Sequence, residues 1–380
     1  MLAMKKKVLI LSYSHLGSDP RVMRQIEALQ EDFEVEVSGH SFNVNSRLKF
    51  YSIYKEPPFS FLRKLKRLFQ FITRNYDAYY WDAGKKALAQ QLEKNKYDVV
   101  IANDIHTLPM ALVIAGTKGK VYFDAHEYHP LEFENSFKWR LLHQPFMNYL
   151  CVAYIPKAHA FSTVSEGIAK EYERKTGALP FLLTNSTSYN DLQPSKIDQH
   201  IKLIHHGAAI PARKLELMIE MMKYTDKRFT LDLMLISNSS KYLDELKNKA
   251  KNIPSVKFVD PVPFAEISKM INHYDLGIIL VPPTNFNYKN GLPNKLFEFI
   301  QARLGIASGP TPEIKACIQK YKLGIVADDF SATSMAVLLN NLTDSQIMNF
   351  KENSNKAARI LSAEENMRKI NEVVSVLAYN

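Results

Sequence analysis

Cysteine is nearly missing from the 380 residues: Cys151 and Cys317 stand far apart. That excludes a disulfide framework and points to a reducing compartment, so the expected location is the cytoplasm. Long apolar runs are missing too. None reaches the roughly 18 residues of a membrane-spanning helix. The start, Met1-Leu2-Ala3-Met4-Lys5-Lys6-Lys7 and then Val8 to Leu11, imitates a signal peptide. Its apolar part is too short and no small-residue cleavage site follows, so it reads as the lead-in to a first strand. The turn after that strand has Gly17 as its only glycine. The glycine-rich dinucleotide fingerprint is therefore absent, which argues against such a cofactor. No Gly-x-Ser-x-Gly occurs, so serine-hydrolase chemistry has no support. There is no Asp-x-Asp to hold a metal, no short-period repeat and no low-complexity tract.

What is present is ordinary for a globular protein: 46% apolar and 23% charged residues. The length suits two or three domains. The net charge of +10 is uneven. From Arg47 to Arg74 there are eight basic residues and one acidic, Glu56. A local basic excess points to an anionic surface, and no nucleic-acid partner is expected. Within it, residues 59–76 read as one basic amphipathic helix. Phe61, Leu62, Leu65, Leu68, Phe69 and Ile72 recur at helical spacing, and Arg63, Lys64, Lys66, Arg67 and Arg74 lie on the rest. One reading lays this helix on an anionic membrane, making the protein peripheral at the inner face of the plasma membrane. The other packs its apolar face on a sheet and leaves the cations solvated.

Strand-like runs alternate with helical ones throughout, which predicts parallel sheets covered by helices on both faces. The pattern restarts after a polar stretch, 186–200, that reads as an interdomain linker. The expected fold is α/β: two Rossmann-like, doubly wound domains facing a deep cleft. Residues 1–190 form the N-terminal acceptor-side domain and 191–362 the C-terminal donor-side domain. A last helix over 363–380 follows a Ser362–Glu365 capping box. Its apolar stripe, Met367, Ile370, Val374 and Leu377, needs a partner, expected on the first domain. Ligands of such sheets sit beyond the C-terminal strand ends. Gly17, Asp104, His126, Glu127, Ser165 and Asn185 fall there in the first half. Gly207, Ser237 and Asn238 fall there in the second.

The most informative stretch is Asn290-Gly291-Leu292-Pro293-Asn294-Lys295-Leu296-Phe297-Glu298. It follows an apolar strand, 276–281, and opens a helix. Gly291 is expected in a tight turn, and Pro293 in the first helical turn. Free backbone N–H groups at the helix start suit a phosphate. Glu298, about one turn on, suits a vicinal diol. Phosphate and diol at that spacing outline a nucleotide sugar. Arg213 and Lys214, after the Gly207 turn, and Lys295 are the cations that can balance a diphosphate. His126-Glu127 with His129 is a weak metal set, so no metal is expected.

These motifs carry a family resemblance. Ser18-Asp19-Pro20-Arg21-Val22-x-Arg24, Asn103-Asp104-x-His106-Thr107-Leu108-Pro109, Asp124-Ala125-His126-Glu127, Thr163-Val164-Ser165-Glu166 and Leu292 to Phe299 stand in order. The chain resembles a retaining glycosyltransferase of the GT-B fold and the family-4 kind. The resemblance implies a nucleotide-diphospho-sugar co-substrate, retention at the anomeric carbon, and no metal or other cofactor. The expected acceptor is a glycan or a lipid-linked precursor. Glu298 matches the second glutamate of the family's Glu-x7-Glu motif, the ribose contact. Asn290 stands where the family has the first. The family's usual early arginine is Ala208 here, and Arg213 occupies the later basic position. His126 matches the histidine near the donor sugar. Two alternatives stand beside this reading. One is a sugar-nucleotide epimerase of the same fold. The other, favoured by Asn290 and Ala208, is a weakened sugar-nucleotide-binding subunit.

Overall fold

The computed structural model describes residues 5–42, 48–53, 60–237 and 240–380. The chain divides into two compact units, residues 1–184 with 367–380 and residues 185–366. Among the described residues the first unit holds a seven-stranded sheet and the second a six-stranded one, both wholly parallel.

The first sheet comprises β1 (Lys7–Leu11), β2 (Glu34–Gly39), β3 (Lys49–Ser52), β4 (Val99–Asn103), β5 (Lys120–Ala125), β6 (Ala160–Thr163) and β7 (Phe181–Leu182). Their order is β3-β2-β1-β4-β5-β6-β7. The second comprises β8 (Ile201–Ala208), β9 (Phe229–Ile236), β10 (Val256–Val259), β11 (Leu276–Ile279), β12 (Gly305–Ser308) and β13 (Gly324–Val326), ordered β10-β9-β8-β11-β12-β13. The strand order reverses between β1 and β4, and again between β8 and β11. Those two switch points are where open α/β sheets leave a crevice at the carboxyl ends of their strands.

Strand side chains alternate between two apolar layers, as parallel strands buried on both faces require. In the second unit Leu203, Leu276 and Ile278 join one core cluster, while Ile204 and Ile279 join the other. Gly277 of β11 is needed for packing. A Cβ there would sit 2.3 Å from the Phe299 ring, so the helix Asn294–Gln301 lies hard against the strand.

Three expectations change. Residues 59–76 are not one helix. The helix runs Phe61–Ile72, Arg74 takes a left-handed φ of 56°, and a short second helix covers Tyr76–Tyr80. Phe59 lies outside the described residues. The apolar face of the first helix does not pack on the sheet: Phe61, Leu62, Leu65, Leu68, Phe69 and Ile72 are all exposed. The polar stretch 186–200 has no regular structure yet is fastened to the second unit. The buried Arg303 donates to the Asn190 carbonyl at 2.6 Å, and Ser195 Oγ donates to the Asn272 carbonyl at 2.8 Å. At the chain end, Ile370, Val374 and Ala378 of the helix Ala363–Tyr379 are buried in the first unit's core. No helix among the described residues is long and apolar enough to cross a membrane.

Candidate active site

In the second unit the site is built on the end of β8. Gly207 takes a φ of +131°, a region L side chains rarely adopt. Lys295 and Arg213 converge on the space a side chain there would occupy. A Cβ would meet Lys295 Nζ at 3.4 Å and Arg213 Nη1 at 3.5 Å. Arg213 is held by its Nη1 donating to the Ala208 carbonyl at 3.1 Å. Lys295 Nζ donates to His205 Nε2 at 3.2 Å. His205 can accept because its Nδ1 donates to the Ile278 carbonyl at 2.7 Å. Burial, and then the neighbouring Lys295, push the pKa of His205 well down, so the ring is neutral.

Burial and the Arg213 charge together lower the Lys295 pKa to about 7. One helical turn on, Glu298 is buried, with Oε2 3.2 Å from His206 Nε2. Burial raises its pKa to about 7, against the pull of Lys295. Burial, then Lys295, lower His206 to about 3. At neutral pH one full cation, Arg213, thus gathers at one strand end with an ammonium and a carboxyl group that are each about half charged, an arrangement that a bound anion shifts towards the charged ammonium.

The other candidates of this unit contribute differently. Gly291 is extended (φ −96°, ψ 161°), so the tight-turn expectation fails. It is nonetheless a glycine for a reason: a Cβ would lie 2.6 Å from the Asn287 carbonyl oxygen. Pro293 is the N-cap of the helix Asn294–Gln301 and brings no side-chain cap. Asn290 Nδ2 donates to the Phe286 carbonyl at 3.0 Å, closing the short helix Phe286–Asn290. Leu292 packs on the core. Lys214 is exposed and left-handed, with φ +49°. Ser237 follows β9, half-buried. Asn238 lies outside the described residues.

In the first unit the site centres on a residue that sequence reasoning passed over, Asp124. Its carboxylate is fully buried at the end of β5. Arg21 clamps it with two bonds, from Nε at 2.8 Å and Nη2 at 2.6 Å. Gln25 Nε2 donates at 2.8 Å and Ser162 Oγ at 2.7 Å. Burial alone would raise the Asp124 pKa, but Arg21 and His126 hold it far below the usual carboxylate range. His126 stands above this group. Its Nε2 is 3.6 Å from Asp124 and 3.3 Å from Asn103 Oδ1, and its Nδ1 is 3.5 Å from Asp104. Burial favours the neutral ring, yet Asp104 and Asp124 raise its pKa overall. Asp104 itself takes φ +64° just past β4 and also lies 3.3 Å from His129 Nε2.

The clue to Asp124 and Arg21 was in two of the quoted motifs. Nothing in the sequence said that they meet across 103 positions. Glu127 is exposed, and its carbonyl accepts from Tyr172 at 2.7 Å. Gly17 is exposed in the turn Leu16–Ser18. Ser165 is buried at the start of the helix Glu166–Thr176, and Asn185 is half-buried beyond β7. The histidine and acid residues assemble no cluster able to hold a metal among the described residues.

No protein-family model and no curated protein matches the sequence. Solved structures do match the fold. HepE of Anabaena, in complex with UDP and glucose, superposes with a TM-score of 0.68 at 14% identity, over 98% of this chain and 100% of that one. Sucrose-phosphate synthase of Thermosynechococcus elongatus gives a TM-score of 0.70 at 11% identity, over 98% and 99%. WaaG, a glycosyltransferase involved in lipopolysaccharide biosynthesis, gives 0.64 at 13%, over 96% and 99%. With these neighbours and two parallel sheets of its own, the chain has the GT-B fold of two Rossmann-like domains.

Proposed function

We propose that the protein is a metal-independent, retaining glycosyltransferase that takes its sugar from a nucleotide-diphospho-sugar. The observation that carries this reading is the convergence of Arg213 and Lys295 over the bare Gly207, with Glu298 one turn further along the Lys295 helix. The missing side chain leaves room for a diphosphate against the backbone. The two cations balance its charge, and Glu298 takes the ribose diol. HepE, of the same fold, is known in complex with UDP-glucose.

In the proposed reaction the bond from the anomeric carbon to the diphosphate oxygen breaks. A bond from that carbon to the acceptor oxygen forms on the same face. The acceptor proton passes to the departing phosphate. Arg213 and Lys295 stabilise the charge that develops on the diphosphate. His126, oriented by Asp124 and Asp104, is assigned the donor sugar; Glu127 is its neighbour on the loop. The acceptor is a glycan or lipid-linked precursor. The exposed apolar face of the helix Phe61–Ile72, with Lys64 and Lys66 beside it, supports attachment to an anionic membrane.

Calorimetry with UDP and with uridine tests the core of this. Arg213→Ala should weaken UDP by at least about tenfold, the loss of one charge-assisted bond, and leave uridine nearly unchanged. Equal losses for both would show that Arg213 does not meet the phosphates. Release of free nucleotide diphosphate from a donor by the purified protein separates an enzyme from a binding subunit.

A further inference from the structure

Strand β8 ends in two adjacent histidines to which the reading above gives no role. A parallel strand covered on both faces is expected to carry apolar side chains there. His205 is fully buried and His206 is 4% exposed. A buried imidazole is costly unless its nitrogens find partners. Both rings are uncharged at neutral pH, because burial and then Lys295 lower their pKa values.

Adjacent strand residues point to opposite faces. His205 and Gly207 share one face, and Lys295 Nζ comes to both. It lies 3.2 Å from His205 Nε2 and 3.4 Å from where a Cβ on Gly207 would stand. The proton on His205 has one place to be. Its Nδ1 is 2.7 Å from the Ile278 carbonyl of β11 and must donate to it, so Nε2 keeps a lone pair for the ammonium. The ring is thus a fixed link from the backbone of β11 to Nζ, and it aims the ammonium at the bare Gly207.

On the other face His206 packs edge-on against Phe299, with ring centres 5.2 Å apart and planes at 84°. Phe299 is fully buried and pressed on Gly277. The imidazole has little freedom to turn. No hydrogen bond among the described residues occupies its Nε2. What faces that atom is Oε2 of Glu298 at 3.2 Å. A small rotation of the carboxyl group closes this contact, and contacts of this kind commonly tighten when a ligand binds. It engages one carboxyl oxygen and leaves the other for the ligand. Lys295 and Glu298 stand three apart on one helix and so share a side of it. Two neighbouring strand residues therefore each hold one of them.

We propose that His205 and His206 are positioning residues for the donor: His205 holds the Lys295 ammonium against the diphosphate, and His206 turns the Glu298 carboxyl group towards the ribose diol. The inference rests on the assignment of Lys295 and Glu298 to the donor. It adds that the two functions are separable, phosphate through one histidine and ribose through the other.

The test uses the full chain and calorimetry. Of UDP, ADP, GDP and CDP, the one that wild type binds tightest is the probe, with its nucleoside and its 2′-deoxy form beside it. The affinity ratio of diphosphate to nucleoside reports the phosphate contacts. The ratio of ribo to 2′-deoxy form reports the diol. Each ratio is taken on one preparation, so partial unfolding cancels. Asparagine matches the reach of Nδ1 and glutamine that of Nε2. His205→Asn should lower the first ratio at least about threefold and leave the second unchanged. His206→Asn should lower the second at least about threefold and leave the first unchanged. His205→Gln and His206→Gln should each recover most of the lost ratio. With Lys295→Met in place, the difference between His205→Asn and His205→Gln should vanish. A merely structural histidine moves neither ratio, so two unmoved ratios would overturn the proposal, as would both ratios falling together in either asparagine variant. Nitrogen-15 spectra of the wild type need no folded variant. Two histidine rings, one of them in the Nδ1–H form, should stay neutral from about pH 8 to about pH 5 and shift when the nucleotide diphosphate is added. The lack of such a pair would also overturn it. If none of the four diphosphates binds wild type, the donor assignment fails and this inference with it. If one binds and the ratios hold, this inference alone fails.

Discussion

At the scale of single residues, two titrating side chains make opposite demands on pH. Lys295 has its pKa lowered to about 7 by burial and by Arg213, so at pH 8 it is largely neutral. A bound diphosphate favours the charged form and raises that pKa. Binding of UDP at pH 8 should therefore take up a proton. Calorimetry in two buffers of different ionisation heat measures the uptake, and Lys295→Met should remove it. His129 runs the other way. Burial favours its neutral form, but Asp104 and Glu132 raise its pKa to about 9 from 6.5. A raised pKa means that the folded state binds the proton more tightly. This stabilisation is complete below about pH 6.5 and is lost as pH rises through about 9, at roughly 3 kcal/mol by linkage. The stability gap between wild type and His129→Gln should accordingly be wide at pH 6 and narrow at pH 10 in urea melts. A gap that does not change with pH would mean that packing, not charge, accounts for His129.

At the scale of elements, the alternation of strands and helices was legible because buried parallel strands read as apolar runs. The motif over 290–298 was legible as a helix start. Its glycine was misread, because a close approach to a carbonyl leaves the same mark in a sequence as a left-handed turn. The helix Phe61–Ile72 was legible as amphipathic. Which face it shows to solvent was not, since that depends on Tyr76 and Tyr79, which hold Phe71 from a separate helix. The stretch 186–200 was composed like a linker, and its fastening came from residues a hundred positions away. Lys351 is the clearest case. It is fully buried, and its Nζ donates to Asp275 at 2.9 Å, to the Tyr274 carbonyl at 2.9 Å and to Ser195 Oγ at 2.8 Å. Asp275 in turn accepts from the backbone of Lys202 at the start of β8. The ammonium is thus fully satisfied and ties that stretch to the sheet. Lys351→Ala leaves a buried carboxylate without its cation and should cost about 3–5 kcal/mol. Urea denaturation measures this, and proteolysis should open first within 186–200. A loss under about 1 kcal/mol would mean that the pair is dispensable.

At the scale of the whole molecule, the last helix belongs to both units. Residues 363–366 count with the second, where the Ala363 N–H donates to the Thr187 carbonyl. From Met367 onward it counts with the first. Asn371 Nδ2 donates to the Ala28 carbonyl at 3.1 Å and to Asp32 at 2.7 Å, while Ile370 and Val374 fill the core beside Val22 and Ile26. Removing residues 367–380 returns those two side chains' places to water, at roughly 1.5–3 kcal/mol each. The sum, about 3–6 kcal/mol, is a large part of the 5–15 kcal/mol that usually separates a folded domain from its unfolded chain. All of it falls on the first unit. The truncated chain should therefore lose protection from hydrogen exchange in β1, β2 and β4. UDP affinity should stay within about twofold of wild type, because Gly207, Arg213, Lys295 and Glu298 all lie in the second unit. If UDP affinity instead falls in step with the loss of protection, the donor residues depend on the first unit, and assigning nucleotide binding to the second unit alone is wrong.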